Sequence, residues 1–273
     1  MFGLQFVHES FLKIHQGLAE TVSIIRAELH HDVLDIFRKL RGRIRDTDLL
    51  LNDLLAGGKK VLLEGAQGQF LDIDRGTYPF VTSSSCTVGN ASSGTGIGVK
   101  RFERIYGVVK AYTTRVGEGP FPTELKDELG ERIRSVGHEY GTTTERPRRC
   151  GWLDMVLVRS SVTWNSIDTL ALTKLDVLDG LDNVKVCMKY RIDQGTASEY
   201  GLPTELDYFP SHLRLLERCE PVYIDIPGWK DVDWTAGRID ERVSDYIELI
   251  EKGSGAKVGI VSYGPGREET IVR

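Results

Sequence analysis

The chain lacks the features that would place it in a membrane, outside the cell or on nucleic acid. No apolar run approaches the ~20 residues needed to span a bilayer, and the opening Met-Phe-Gly-Leu-Gln has no basic-then-apolar signal pattern. The formal net charge of −5 at pH 7 argues against general nucleic-acid binding. These absences predict a soluble cytoplasmic protein that has neither a membrane nor a nucleic acid as its partner.

Two kinds of binding motif are also missing. A G-x-x-x-x-G-K-[ST] phosphate-binding loop does not occur. Cysteines are few, and none has the CxxC or Cys/His spacing of a metal site, which predicts a reducing compartment without a disulfide framework or a zinc site. The four cysteines are Cys86, Cys150, Cys187 and Cys219.

Hydrophobic periodicity predicts several helices. Apolar residues spaced by three or four positions from Leu18 to Leu40 form one face of a long amphipathic helix. Capping and spacing signals predict further helices behind Asp46-Thr47 through Leu55, from a Thr123 cap through Val136, over Leu153–Trp164 and over Arg238–Ile250.

Short apolar runs between these helices predict strands, and the alternation of the two predicts an α/β sheet covered on both faces. The polar stretch Asp72–Gly98 carries apolar anchors, so we interpret it as an ordered loop on the ligand side of the sheet. The predicted strands are Lys60–Glu64, Gly107–Thr114, Thr169–Thr173, Val184–Met188, Val222–Ile226 and, as the last one, Lys257–Val261.

The segment Gly141–Trp152 is the strongest candidate binding loop. Pro147 has no N–H and restrains Arg146 away from helical geometry, which predicts an exposed loop rather than a helix or central strand. Guanidinium forks match carboxylate and phosphate geometry, and threonine hydroxyls add donors, so the loop predicts a small-polyanion site. A solvated basic turn is the alternative. The loop contains Thr142, Thr143, Thr144, Arg146, Arg148 and Arg149.

Three further polar segments follow predicted strands, where open α/β sheets bind their ligands. In Gly65–Gly68, Gln67 could orient a base or stabilise charge on a carbonyl oxygen. In Thr173–Asp176, the aspartate could accept from a guanine ring while the lysine stem covers it. Ser262–Gly266 permits close backbone approach to a ring or phosphate. Ordinary turns and strand ends remain the alternative at all three places.

Eight motifs in one order resemble the adenylosuccinate synthetase family. They are EGAQG, DIDRGTYPFVTSSS, TRVG, GPFPTEL, TTTERPRRCGWLD, LTKLDVLDGL, PGW and SYGPGRE. The similarity is strong over residues 53–273 and loose over the helical residues 1–50, so residues 1–273 resemble the C-terminal portion of one synthetase domain. The implied fold is a P-loop-NTPase-like mixed α/β sheet flanked by helices and incomplete at its N-terminus.

The resemblance also implies a chemistry. Members of the family are cytoplasmic ligases of AMP biosynthesis, and the full-length enzymes are homodimers. They join IMP and L-aspartate by way of 6-phosphoryl-IMP, with GTP as co-substrate and Mg²⁺ as cofactor. On this basis, we expect the chain to take part in purine nucleotide synthesis.

Individual residues match the family's binding positions. Gln67 and Thr82 match residues that hold IMP, and Gln67, the catalytic match in this chain, lies near the reacting 6-oxygen. The aspartate loop matches at Thr142, Thr143, Thr144, Arg146 and Arg148. The resemblance implies that Arg146 also reaches IMP and that Arg148 lies between aspartate and the GTP phosphates. Lys174, Leu175 and Asp176 match the residues that contact the base of GTP. Ser262, Tyr263 and Gly264 match the far wall of the same pocket.

The sequence also departs from the family pattern. The GDEGKGK segment, the catalytic Asp and the catalytic His have no counterpart, and the magnesium ligands are expected with them; the matched segments contain none. Glu145 stands where the family usually has glycine. Two interpretations remain open. The chain is a portion of a synthetase that is active only in its full-length context, or it is a truncated, non-catalytic paralogue that binds nucleotide.

Overall fold

The computed structural model describes residues 33–141 and 145–273. The chain forms two compact units, Met1–Val61 and Leu62–Arg273. Within the described ranges, no helix combines the length and the apolar character that a bilayer crossing requires.

In the first unit, residues 33–40 are helical and a 3₁₀ turn, Arg41–Arg43, follows. The next helix, Thr47–Ala56, begins where the Asp46 carboxylate accepts a hydrogen bond from the Leu49 N–H at 3.1 Å. This cap satisfies an amide group that a helix start leaves unpaired, and it confirms the helix predicted behind Asp46. The earlier part of the predicted long helix lies outside the described residues.

The described residues of the second unit alternate strands with helices. The strands are β1 (Tyr106–Lys110), β2 (Thr113–Arg115), β3 (Arg149–Gly151), β4 (Leu153–Asp154), β5 (Thr169–Thr173), β6 (Asn183–Arg191), β7 (Glu205–Leu206), β8 (Glu220–Pro227), β9 (Lys257–Ser262) and β10 (Thr270–Val272). The α-helices are Val88–Thr95, Glu128–Val136, Met155–Asn165, Gln194–Tyr200, Leu213–Leu216 and Glu241–Ser254. Shorter 3₁₀ helices are Gln69–Leu71, Val99–Arg101, Leu175–Leu178 and Trp234–Ala236.

The main sheet has the strand order β1-β5-β9-β10. β5 pairs in parallel with β1 on one side and with β9 on the other, whereas β10 pairs antiparallel with β9. Parallel strands place their carboxyl ends at one edge of a sheet, which is where such sheets bind ligands. The mixed sheet with helices around it confirms the predicted α/β class.

A second sheet is built around β6. This strand pairs in parallel with β4 and antiparallel with both β7 and β8. Strands β2 and β3 form a separate antiparallel ribbon in which Arg115 lies opposite Arg149. β6 and β8 confirm the strands predicted at Val184–Met188 and Val222–Ile226, but the sequence did not predict that they belong to a sheet of their own.

The core lies between the main sheet and the helix Glu241–Ser254. Alternate residues of β5, Leu170 and Leu172, are buried, as expected for a strand with side chains on opposite faces. The helix buries one stripe that includes Tyr246 and Ile250. Each fully buried side chain of this size contributes about 1.5–3 kcal/mol relative to its exposed state. This packing fixes the strand ends from which the candidate site is built.

The apolar run Lys60–Glu64 is not a strand, contrary to the prediction. Leu62 at its centre is 88% exposed, and no strand in the described part of the chain pairs with this segment. A strand is stabilised by cross-strand partners and by burial of a face, and this run has neither.

The strand predicted over Gly107–Thr114 is wrong as a single element. It divides into β1 and β2 at Ala111 and Tyr112, which are both buried. β1 pairs with β5 of the main sheet, whereas β2 pairs with β3, so the chain leaves one sheet and enters a ribbon here. An apolar run predicts strand structure, but it does not show which strands its two halves pair with.

The helix predicted from Thr123 begins at Glu128 instead. Asp127 caps it, because its carboxylate accepts a hydrogen bond from the Gly130 N–H at 3.1 Å. Thr123 is fully buried, and its backbone oxygen accepts from the Trp152 N–H. Ile133 lies in the core, whereas Val136, in the last turn, is exposed.

The remaining differences concern element bounds and short elements. The helices predicted over Leu153–Trp164 and Arg238–Ile250 are confirmed with shifted ends. Lys257–Val261 is a strand but not the last one, since β10 follows it. The ordered segment Asp72–Gly98 contains a helix, Val88–Thr95, that the polar composition concealed.

One buried carboxylate couples the second sheet to a helix start. Asp154 caps the helix Met155–Asn165 by accepting from the N–H groups of Val156 and Leu157 at 3.0 and 3.3 Å. Its other oxygen accepts from the Tyr190 hydroxyl at 2.7 Å. Burial raises the pKa of Asp154 to about 6, although these hydrogen bonds oppose the rise.

Asp154→Asn should remove a pH-dependent cost of ionisation while it keeps a capping oxygen. The folded-state pKa of about 6 lies above the ordinary value of 3.8, so the wild-type stability from this group is lost as pH rises through about 6. Between pH 5 and pH 8, the unfolding free energy of the variant should rise by about 1 kcal/mol relative to that of the wild type. Urea unfolding at both pH values measures this difference, and a difference that does not change with pH would contradict the assignment.

Candidate substrate-binding site

The two predicted base-reading segments are brought together by the parallel pairing of β5 with β9. Thr173 lies opposite Ser262, and the Lys174 N–H donates to the Ser262 carbonyl at 3.1 Å. Lys174 itself has a φ of 66°, a left-handed conformation that turns the chain out of the strand. Its Nζ donates to the Gly137 carbonyl at 2.9 Å. Two segments far apart in sequence therefore share one end of the sheet.

Asp176 carries an unsatisfied acceptor in this place. Its Oδ1 is buried and has no hydrogen-bond partner among the described residues. Burial raises the pKa of Asp176, while the charge of Lys174 opposes the rise. An unpaired buried acceptor carries a desolvation cost, which a ligand N–H could remove. Leu175, between these two residues, has its side chain fully buried in the core, so it can offer only its backbone to a ligand.

The turn after β9 forms an ordered wall beside Asp176. The Ser262 hydroxyl donates to the Gly264 carbonyl at 3.0 Å, and the Gly266 N–H donates to the Glu269 carboxylate. A Cβ at Gly264 would lie about 2.5 Å from that carboxylate, so a larger residue would require the Glu269 side chain to move. The Tyr263 ring stacks on Trp234, with centroids 5.8 Å apart.

The sequence did not indicate Trp234 as part of this wall. Its Nε1 donates to Asp179 Oδ2 at 3.1 Å, and the same oxygen accepts from the Val232 N–H at 3.2 Å. Asp179 thus ties the segment after PGW to the segment after β5. The LDVLDGL motif contains Asp179, but nothing in the sequence shows which distant group it binds.

The candidate binding loop, here called the arginine-rich segment, is described from Glu145 onward. The predicted ligands Thr142, Thr143 and Thr144 lie outside the described residues. Glu145 has a φ of 51°, a left-handed conformation that costs a residue with a side chain about 1 kcal/mol or more. Arg146 is exposed and Arg148 is half-buried. The predicted loop ends sooner than expected, because Arg149 already belongs to β3.

The arginines of this segment have different partners. Arg149 forms two bonds of 2.6 Å with the Glu124 carboxylate and lies over the Phe121 ring. Arg148 Nη1 donates to Glu139 Oε2 at 2.8 Å. In the described residues, the Arg146 side chain makes no hydrogen bond or ion pair. The three residues therefore differ in how freely each could turn to a ligand.

Glu139 is buried, with 1% of its surface exposed, and sequence reasoning missed it. Besides Arg148, it accepts from Lys110 Nζ at 2.7 and 2.8 Å and from the Tyr112 hydroxyl at 2.7 Å. Burial raises its pKa, but the bonds from Lys110, Tyr112 and Arg148 together hold that pKa below its ordinary value. A charged carboxylate is thus kept at the carboxyl end of β1.

The loop that contains the predicted IMP ligand Thr82 is organised by another buried carboxylate, Asp72. Asp72 accepts from the N–H groups of Asp74 and Arg75 at 2.9 Å and from those of Cys86 and Thr87. Burial raises the pKa of Asp72, and these four donors together lower it below its ordinary value.

This loop contacts the β2–β3 ribbon through Arg115. Its Nη2 donates to Thr77 Oγ1 at 2.7 Å and to the Phe80 carbonyl at 3.1 Å. Thr82 is half-buried, and its hydroxyl lies 3.5 Å from Ser84 Oγ. Gln67 is exposed in a left-handed conformation, φ 60°, 4.0 Å from Cys86 Sγ.

A family model described as adenylosuccinate synthetase matches residues 5–271. The chain belongs to the adenylosuccinate synthetase family. The match extends through most of the chain, including residues that the motifs matched only loosely.

Two curated relatives show how much of an adenylosuccinate synthetase the chain represents. The enzyme of Desulforudis audaxviator strain MP104C is 52% identical over 244 residues, which is 88% of this chain and 54% of the relative. That of Caldicellulosiruptor bescii is 51% identical over 280 residues, 97% of this chain and 64% of the relative. The chain therefore spans between half and two thirds of the relatives it matches.

Solved structures agree on the fold. The fully ligated adenylosuccinate synthetase from Plasmodium falciparum superposes with a TM-score of 0.84 at 40% identity, covering 97% of this chain and 63% of that chain. The cyanophage S-2L succinoaminodeoxyadenylate synthetase (PurZ), bound to dGMP and to dATP as an energy donor, has a TM-score of 0.53 at 19% identity, covering 87% of this chain and 54% of that chain. At that identity the second likeness shows the fold alone.

If Asp176 accepts from a guanine base, as the sequence predicts, Asp176→Asn should weaken GTP binding about tenfold or more, because an amide offers one acceptor and sets a donor against a guanine donor. The wild type should also prefer GTP to ITP, whose base lacks the exocyclic amine, and the variant should lose that preference. Calorimetric titration with both nucleotides measures this. Asp182→Asn, on an exposed turn nearby, is the matched control; unchanged GTP affinity in Asp176→Asn would assign Asp176 to an ordinary strand end.

Proposed function

We propose that the chain carries the guanine, aspartate and part of the IMP contacts of an adenylosuccinate synthetase. The reaction is IMP + L-aspartate + GTP giving adenylosuccinate, GDP and phosphate, a step of AMP synthesis. The observation that carries the proposal is the buried, unpartnered Asp176 Oδ1 beside Lys174 and the Ser262 turn. A guanine ring offers two N–H donors to one carboxylate, which is the complement of this arrangement.

The proposed roles follow the chemistry of each side chain. Gln67 and Thr82 hold IMP, and Gln67 lies at the 6-oxygen, where its amide can stabilise developing charge. For aspartate we propose Thr142, Thr143, Thr144, Arg146 and Arg148, with Arg146 also contacting IMP. For GTP we propose Lys174, Leu175 and Asp176 on one side of the base, Ser262, Tyr263 and Gly264 on the other, and Arg148 at the phosphates.

Asp176 matters because the fold alone does not choose the energy donor. The cyanophage neighbour has this fold and is described with dATP as its donor. An adenine ring offers an exocyclic amine next to an acceptor nitrogen, which faces a carboxylate poorly. We therefore infer that GTP rather than ATP is the co-substrate here.

Mg²⁺ is the cofactor that the family implies. In residues 33–141 and 145–273, no three His, Cys, Asp or Glu side chains are grouped to hold a metal ion. The described residues thus do not fit a metal site of their own, and no proposed role runs through the metal. For the whole enzyme we propose a homodimer in the cytoplasm.

A non-catalytic nucleotide-binding paralogue is the second candidate. The observation that favours it is the left-handed Glu145 in the arginine-rich segment. Under this alternative the guanine contacts persist, but aspartate is not used.

The 273-residue chain alone should form no adenylosuccinate from IMP, aspartate and GTP, because no phosphate loop activates the nucleotide. Joined to the part of a curated relative that lies outside its match, it should gain this activity. Product formation by purified protein, free of host enzyme, is the measurement. Activity of the chain alone would contradict the first expectation, and an inactive but folded chimaera that binds GTP would favour the paralogue.

Glu145→Gly in that chimaera should lower the KM for aspartate several-fold and leave the KM for GTP unchanged. Glycine adopts the observed φ of 51° without strain, and the change removes a negative charge near the arginines. Asp231→Gly is the matched control, since Asp231 is also exposed and has a φ of 52°. If the two variants change aspartate kinetics equally, Glu145 is not part of an aspartate site.

A further inference from the structure

The buried Glu139 carboxylate joins three elements around one charge. Lys110 comes from the end of β1, Tyr112 from the link to β2, and Arg148 from the arginine-rich segment. Only 1% of the surface of Glu139 is exposed, so it has little direct access to a ligand. Its effect on the candidate site must therefore pass through one of its partners.

Lys110 neutralises Glu139 but is not itself available to a ligand. Its three Nζ donors are all used: two on the Glu139 oxygens at 2.7 and 2.8 Å and one on Thr114 Oγ1 at 3.0 Å. Lys110 and Glu139 form a neutral, satisfied pair even without a third partner. The positive charge that remains in the cluster belongs to Arg148.

Arg148 is fixed at its backbone and at one corner of its guanidinium. Its N–H donates to the Glu139 carbonyl at 2.9 Å, and its own carbonyl accepts from Arg134 Nε at 2.8 Å. Nη1 donates to Glu139 Oε2 at 2.8 Å. The Nε and Nη2 donors make no hydrogen bond in the described part of the chain, and the side chain is 28% exposed. The guanidinium is held on one side and offers its other donors.

We propose that Glu139 is a positioning residue, which orients the free donors of Arg148 toward an anionic ligand while Lys110 cancels its charge. The proposal rests on the proposed function, since the ligand groups are the GTP phosphates and the aspartate carboxylate. A preorganised fork loses less freedom on binding, so the orientation should appear as affinity.

The short segment Gly137–Glu139 also contacts the proposed base-reading residues. The Gly137 carbonyl accepts from Lys174, whose neighbour Asp176 is the proposed base reader, so a general disturbance of the segment would weaken base and phosphate contacts alike. Guanosine, which has no phosphate, therefore reports on the base contacts alone, whereas GTP reports on base and phosphate contacts together. A change confined to GTP would indicate Arg148 rather than a general loss of structure.

The test variant is the double substitution Lys110→Met/Glu139→Gln in the 273-residue chain. Glu139→Gln alone leaves the half-buried Lys110 without its counter-charge and should destabilise the fold. The double variant removes both charges of the pair and keeps Arg148. We expect GTP affinity to fall about fivefold, the loss of roughly one hydrogen bond, with guanosine affinity unchanged. In an Arg148→Leu background, the double substitution should have no further effect.

A second readout does not depend on any ligand. In wild-type chain, the guanidinium NMR signals of Arg148, assigned by their loss in Arg148→Lys, should show slow rotation of a held group. In the double variant they should average. The matched control is Glu199→Gln/Arg218→Met, which removes another cation–carboxylate pair outside the proposed site and should leave GTP affinity and the Arg148 signals unchanged.

Each outcome has one meaning. A fivefold loss for GTP alone, with averaged Arg148 signals, supports the proposal. Unchanged Arg148 signals, unchanged GTP affinity or an equal loss for guanosine overturns the positioning role of Glu139 while the proposed function stands. If the wild-type chain binds neither GTP nor guanosine, the proposed function of this site fails, and the role of Glu139 in substrate binding fails with it.

Discussion

The pairing of β5 with a parallel strand on each side is the constraint on which the candidate site depends. Thr173, its last residue, lies opposite Lys110 of β1 and opposite Ser262 of β9. One hydrogen-bond register thus sets the base-reading segment, the wall of the base pocket and the lysine of the Glu139 cluster side by side. The buried leucines of β5 and the helix Glu241–Ser254 hold that register in place.

The parts of the site that the sequence predicted are those with local signals. Thr169–Thr173 is a short apolar run with a polar residue on each side, so its bounds and the position of Lys174 and Asp176 behind it were predicted correctly. Ser262–Gly266 follows an equally clear strand. In both cases the candidate binding residues lie within a few positions of the apolar run that predicts the strand. Which of these residues bind a ligand stays a prediction.

The parts that the sequence could not predict depend on distant partners. In the sequence Glu139 is an ordinary polar residue, and only the fold places Lys110 and Arg148 around it. Asp72 is likewise an ordinary loop aspartate, and only the fold brings four backbone N–H groups to it. The same limit explains the wrong strand at Lys60–Glu64, since an apolar run carries no information about its ladder partner. A buried carboxylate is specified by packing, and packing is not local.

We propose that this chain of the adenylosuccinate synthetase family contains a guanine-specific pocket between the end of β5 and the turn after β9. A crystal structure of the chain soaked with GDP tests it most directly. We expect the guanine ring to lie against Ser262 and Gly264, with its N1–H and amino group within hydrogen-bond distance of the Asp176 carboxylate. Ordered GDP whose base lies elsewhere, with Asp176 Oδ1 still unpartnered, would contradict it.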